Sequence, residues 1–230
     1  MEQHRWSVLL GALAAILAVG TVGGVLWYEA RQNEAAAELY RQASQLMHDR
    51  PVDDPQKAQA NLKQAIALYR RLVEEYPRSP SGPLALFQLG NALVESQDVK
   101  GAIEAYNQYV ARYGANKMML GLVYQRLAYA HLLNGDREAA AKAFLTVVEL
   151  PGTVNKDHAL YELGRLEESR GHPEGAIAHY QNLVRAFPNS PLASEATIRM
   201  KALEAKKTPE AQEKPSAPLP PPSSPPLATQ

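Results

Sequence analysis

Six histidines, His4, His48, His131, His158, His172 and His179, are the side chains of this 230-residue chain best suited to metal binding or proton transfer. No two of them stand in an H-E-x-x-H arrangement, so no pair shares one helix face around a metal. Glu74-Glu75 and Glu167-Glu168 are the adjacent acids. Neighbours in a helix point in different directions, so neither pair works as an acid–base couple, and both read as solvated surface. The chain has no cysteine. That removes thiol catalysis, disulfides, cysteine–zinc sites and attachment of a lipid through cysteine. There is no phosphate loop and no serine elbow. Catalysis needs a positioned acid, base or nucleophile. No catalytic residue, metal ligand or cofactor is therefore expected, and a hydrolase with an unadvertised site is the least favoured alternative. Lys plus Arg and Asp plus Glu each number 24, a net charge of zero, which offers nucleic acid no basic surface.

Binding side chains need something to hold them, and here that is a recurring helical unit. Ala65, Ala102, Ala140 and Ala176 are each followed four residues later by an aromatic: Tyr69, Tyr106, Phe144 and Tyr180. Three residues further come Leu72, Tyr109, Val147 and Leu183. Offsets of four and three place each trio on one helix face. Twelve residues before the last three alanines stand Gly90, Ala128 and Gly164, each preceded by leucine. A small residue there lets two helices approach closely.

The leucine–glycine pair, alanine, aromatic and terminal proline (Pro77, Pro188) resemble the tetratricopeptide repeat. The resemblance implies an all-α solenoid of helical hairpins. The middle repeats depart from it, with Gly114 and Gly152 at the proline position, and the spacing runs slightly long. The pattern predicts a degenerate first hairpin from helices over 29–49 and 56–76. It then predicts hairpins over 83–96 with 100–113, 118–134 with 136–150, and 157–170 with 173–187. A last helix over 191–206 caps the stack. Ser79-Pro80 and Ser190-Pro191 are expected to be serine caps followed by proline. Carrying the family's inner-helix positions over implies a partner-binding groove. It comprises Gln88 and Asn91, then Gln125, Arg126 and Tyr129, then Tyr161, Glu162 and Arg165. Asn91 and Arg165 fall where some family members hold a peptide backbone or carboxylate, but two such groups do not make a terminal-carboxylate clamp. His131 falls on an inner helix and suits core or groove.

Before the repeats, residues 7–28 contain no charged side chain. As a helix they span about 33 Å, against a bilayer core of about 30 Å. Ser7 opens the stretch, and Trp27-Tyr28 closes it with amphipathic rings suited to the interface. A single N-terminal membrane anchor is expected, with the repeat domain across the membrane. A cleaved signal peptide ending near Ala18-Val19-Gly20 is the alternative, and would leave a soluble periplasmic envelope-assembly adaptor. Gly20 and Gly24 form a G-x-x-x-G pair. After residue 206 prolines dominate, and Leu219-Pro220-Pro221-Pro222 has polyproline character. The expected organisation is therefore 1–28 anchor, 29–206 repeat domain and 207–230 disordered tail.

The layout also resembles the ancillary translocon-subunit (YfgM-like) family. It does so through Leu26-Trp27-Tyr28-Glu29-Ala30-Arg31-Gln32, Ala37-Glu38-Leu39-Tyr40 and Ala159-Leu160-Tyr161-Glu162-Leu163-Gly164. That resemblance implies a single-pass bacterial inner-membrane protein with a periplasmic repeat domain. Its partners would be proteins or peptides, including translocon subunits and periplasmic chaperones.

Overall fold

The structure is a computed structural model. It describes the backbone of residues 2–115 and 117–212, and their side chains except those of 2–16, 18, 118 and 207–212. The proline segment 213–230 therefore lies outside the described residues, as do the side chains of most of the expected anchor, Ser7 included. Among the described residues there are nine helices and no strand: α1 (Glu2–His48), α2 (Pro55–Glu75), α3 (Gly82–Glu95), α4 (Val99–Tyr113), α5 (Lys117–Leu133), α6 (Arg137–Glu149), α7 (Lys156–Ser169), α8 (Pro173–Ala186) and α9 (Ala193–Gln212).

The chain divides into two compact units after Ala159, inside α7. In the first unit, sequence neighbours pack as antiparallel pairs, α1 on α2, α3 on α4 and α5 on α6. The apolar stripe of α1, Ala36, Leu39 and Ala43, meets Leu62, Ala65, Ile66 and Tyr69 of α2 in one core that runs on through Tyr106 and Tyr109. The four repeat aromatics are buried: Tyr69, Tyr106, Phe144 and, in the second unit, Tyr180. Each also meets a ring on the first helix of its hairpin. The centroid distances are Tyr40–Tyr69 5.8 Å, Phe87–Tyr106 6.3 Å, Tyr129–Phe144 5.3 Å and Tyr161–Tyr180 5.8 Å. The small residues do the job their spacing implied. A methyl group added at Gly90 would overlap the Tyr106 ring, and one at Gly164 would overlap the Tyr180 ring.

Three hairpin turns share one geometry. Gln97, Gly135 and Gly171 have φ of 66°, 81° and 74°. Each next residue donates its N–H five residues back, Asp98 to Leu93, Asp136 to His131 and His172 to Glu167. This left-handed step satisfies the carbonyls at the helix end. Asp98 and Asp136 then cap the following helix by accepting from Gly101 N and Ala139 N, as Asp54 caps α2 through Lys57 N.

The serine caps need correction. α3 starts at Gly82 after Ser81, with proline in its first turn, and Ser79 lies buried in the preceding turn. α9 starts at Ala193, because the Ser190 hydroxyl accepts from Leu192 N at 3.2 Å and so closes a local turn first. In the second unit Ala193 and Ala196 of α9 are buried.

α1 runs without a break from Glu2 to His48, joining the expected anchor to the first repeat. Among the described residues no helix is long and apolar enough to cross a membrane. Leu17, Val19, Val22, Val25, Leu26, Trp27 and Tyr28 are nonetheless all exposed, Trp27 by 65% and Tyr28 by 59%. The Arg31 guanidinium sits 5.5 Å from the Trp27 ring centroid.

Candidate functional site

In the first unit, α3 and α5 lie against each other. Between them opens a groove of about 420 Å³ lined by Asn91, Glu95, Tyr106, Arg126, Tyr129 and Leu133, among others. Arg126 and Tyr129 stand three apart on α5 and so share a face. The Tyr106 hydroxyl, reaching through from α4, donates to Asn91 Oδ1 at 2.8 Å, while Asn91 Nδ2 donates to Gln88 Oε1 at 3.0 Å. Burial pushes the Tyr106 phenol above its ordinary range, and the nearby Arg126 guanidinium works against that shift. Glu95 is held below the ordinary carboxylate range by its bond to the Arg50 guanidinium. Its charge is thereby matched. Arg126 is exposed and forms no ion pair among the described residues. Tyr129 Oη lies 3.1 Å from His158 Nδ1, with the two rings edge to face.

The groove thus gathers three of the sequence-predicted residues: Asn91, Arg126 and Tyr129. Gln88 touches it only through Asn91. Gln125 does not line it, because its Oε1 accepts from Asn155 Nδ2 at 2.7 Å. Tyr106 and Glu95 are lining residues that sequence reasoning did not select. Tyr106 belongs to the recurring repeat face and is fully buried, with its hydroxyl bound to Asn91 of the groove.

The second unit holds Tyr161, Glu162 and Arg165 on α7. Arg165 Nη1 donates to both carboxylate oxygens of Glu162 at 3.2 Å. Tyr161 accepts from Arg199 Nε of α9 at 3.1 Å, and the Arg199 guanidinium lies 5.8 Å from its ring centroid. Arg199 also donates to Glu168 at 3.3 Å, and Glu168 accepts from the Tyr180 hydroxyl at 2.6 Å. Burial, followed by that bond to Glu168, pushes the Tyr180 phenol above its ordinary range. Glu167 pairs with Arg170 and with His172 Nδ1, both at 3.0 Å. The expectation that Glu167-Glu168 is solvated surface is therefore corrected, since the two side chains are only 20% and 25% exposed. They do diverge, as adjacent helical residues must. Arg199 went unselected because nothing in its local sequence marks a partner 38 residues upstream.

Paired helices, buried repeat aromatics and a polar groove on the first helices of the hairpins define a helical-repeat scaffold. The chain belongs to the tetratricopeptide repeat-like domain family, whose model matches residues 2–207. No curated protein matches the sequence. Among solved structures it is similar to a tetratricopeptide repeat protein from Parabacteroides merdae, with a TM-score of 0.61 at 14% identity over 78% of this chain and 64% of that one. This chain thus spans less than two thirds of the length of that protein. It is also similar to pilF of Pseudomonas aeruginosa (TM-score 0.55, 17% identity, 78% and 72% covered). YrrB, a tetratricopeptide protein with an unusual peptide-binding site, gives a TM-score of 0.54 at 19% identity, with 80% and 83% covered.

Proposed function

We propose that this protein is a membrane-anchored tetratricopeptide scaffold. In this reading its first unit grips an extended protein segment bearing a carboxylate in the α3–α5 groove. One observation carries the proposal: an exposed guanidinium, Arg126, without an ion pair among the described residues, shares a groove with Tyr129, Asn91 and the buried-rooted Tyr106 hydroxyl. A carboxylate there would gain a charge-assisted bond from Arg126. The flanking side chains supply ring and amide contacts for the peptide. YrrB is a precedent for a peptide-binding site in this fold. The charge-free stretch 7–28 serves as a single-pass anchor. The exposure of every described apolar side chain from Leu17 to Tyr28 supports that role, because lipid would cover what the repeats leave bare. The resemblance to the ancillary translocon-subunit family supports reading the domain as periplasmic, beside the export channel and chaperones.

Affinity purification from solubilised membranes tests this reading. The wild-type chain is compared with the Arg126→Glu, Tyr129→Ala double variant and with a chain whose span is scrambled. Channel subunits and chaperones should be recovered with the wild type and lost with the groove variant. Equal recovery by both would remove the groove from the account, and recovery of neither partner class by the wild type would remove the translocon role. The intact mass of the mature protein separates an anchored chain from a cleaved, soluble adaptor.

A further inference from the structure

A second cavity, of about 820 Å³, opens where α1 leaves the first repeat, and shares no lining residue with the α3–α5 groove. One wall is α1 at Gly24, Val25 and Glu29, and the other is the α2–α3 turn at Arg78 and Ser79. That turn is braced. The Tyr113 hydroxyl donates to Pro77 O at 2.9 Å, Ser79 N donates to Tyr76 O and Gly82 N to Ser79 O, both at 3.0 Å. That wall of the cavity is therefore fixed before anything enters it.

Its chemistry is mixed in a particular order. Val25 is exposed and apolar, and a methyl group added at Gly24 would meet nothing within 4 Å. Glu29 and Arg78 are exposed, on opposite walls, and neither forms an ion pair among the described residues. Ser79 is 5% exposed, and its Oγ is buried with no hydrogen-bond partner among the described residues. A buried hydroxyl is costly to leave unpaired. One acid and one base, both without an ion pair, thus stand with one unpaired hydroxyl at the head of the cleft, whose second acid, Glu75, already pairs with Arg71 at 3.0 Å.

We propose that this cavity holds an aminophospholipid, its phosphate on Arg78 and Ser79, its ammonium on Glu29 and an acyl chain along Val25 and Gly24. The proposal rests on the membrane-anchor reading, which puts this end of α1 at the bilayer surface. The charges choose among headgroups. A glycerol headgroup carries only the negative phosphate and leaves Glu29 facing it. A choline headgroup is zwitterionic, but its quaternary nitrogen has no N–H to donate to Glu29. An ethanolamine headgroup satisfies both walls at once, its ammonium donating to Glu29 and its phosphate accepting from Arg78. The Arg31–Trp27 stack on the same helix suits the same interfacial depth.

The test uses the full chain in mild detergent. Phosphatidylethanolamine, phosphatidylcholine and phosphatidylglycerol of matched acyl chains are titrated in, and bound lipid is read by native mass spectrometry. Phosphatidylethanolamine should be retained about tenfold better than either of the others, the factor one charge-assisted hydrogen bond provides. Glu29→Gln should reduce it to the phosphatidylcholine level. Arg78→Gln should weaken both zwitterionic lipids, and Lys63→Gln, remote from the cavity lining, should change neither. Equal retention of ethanolamine and choline lipids, a preference for phosphatidylglycerol, or unchanged selectivity in Glu29→Gln would each overturn the proposal. Carbonate washing of membranes isolates the cause. A chain that stays in the membrane yet lacks the preference refutes the headgroup site alone, whereas a chain that washes out refutes the anchor and the site together.

Discussion

Tyr106 and Tyr109 stand one helical turn apart on α4, both fully buried, yet their hydroxyls have opposite circumstances. Tyr106 Oη donates to Asn91 Oδ1, whereas Tyr109 Oη is buried without a partner among the described residues. Tyr106→Phe should therefore cost about 1 kcal/mol, because it also strands the Asn91 carbonyl. Tyr109→Phe should be neutral or stabilising by up to about 1 kcal/mol, since it removes a polar group that gains nothing by burial. Urea midpoints of the two single variants decide this, and a larger loss at Tyr109 than at Tyr106 would contradict it. Gly90→Ala is a sharper case because two effects oppose. Alanine in place of glycine inside a helix gains about 1 kcal/mol. Here the new methyl overlaps the Tyr106 ring, and overpacking of that kind costs about 1–3 kcal/mol. The overlap wins, so the same assay should show a net loss of up to about 2 kcal/mol. These small–aromatic pairs were legible in the sequence, because both partners recur at fixed offsets. The Arg199–Tyr161–Glu168 cluster was not, because its members lie 31 and 38 residues apart on polar helix faces with no repeat to tie them.

Helix ends obey the same division. Gly135 and Gly171 announced their turns, since a left-handed residue is most readily glycine. Gln97 occupies the equivalent step at φ 66° and announced nothing. The turn exists there because the Asp98 N–H reaches Leu93 O and the Asp98 carboxylate caps α4, so neighbouring bonds impose what the residue itself resists. Replacing it should release that resistance. Gln97→Gly is expected to stabilise the protein by about 1 kcal/mol, the cost of a left-handed L-residue, seen as a raised urea midpoint with an unchanged slope. A lowered midpoint would mean that the glutamine side chain contributes more than its backbone costs. Ser79 and Ser190 show how cap reading goes astray. Serine before proline suits a helix start, but it equally suits the tight turn preceding one, and both serines took the second role. Only the bonds to Tyr76 O and from Leu192 N distinguish the two, and those depend on where the next helix docks.

At the scale of the molecule, tyrosines tie stability to alkaline pH in both units. Burial raises the phenol pKa of Tyr69, Tyr106, Tyr109, Tyr113 and Tyr180 above the ordinary value. A group whose folded pKa is raised keeps its full contribution below the unfolded value. It loses that contribution as pH climbs towards the folded one. Stability should thus be level through neutrality and fall above about pH 10, with tyrosinate absorbance and loss of helical circular dichroism rising together. Tyrosinate formation from these five well before unfolding would contradict their burial. The division inside α7 was not legible, since the repeat spacing runs through it unaltered. The amino-terminal part of α1 poses the remaining whole-molecule question. The described side chains between Leu17 and Tyr28 are exposed and bury little against the repeats, so they add little to folding while presenting an apolar surface that water disfavours. Deleting residues 1–28 should therefore leave the unfolding midpoint within about 2 °C, equivalent to less than about 1 kcal/mol for a chain of this size. It should also move the protein from the membrane pellet to the supernatant. A marked fall in the midpoint would show that this stretch packs on the repeats. An unchanged pellet fraction would show that the repeats, and not α1, hold the membrane.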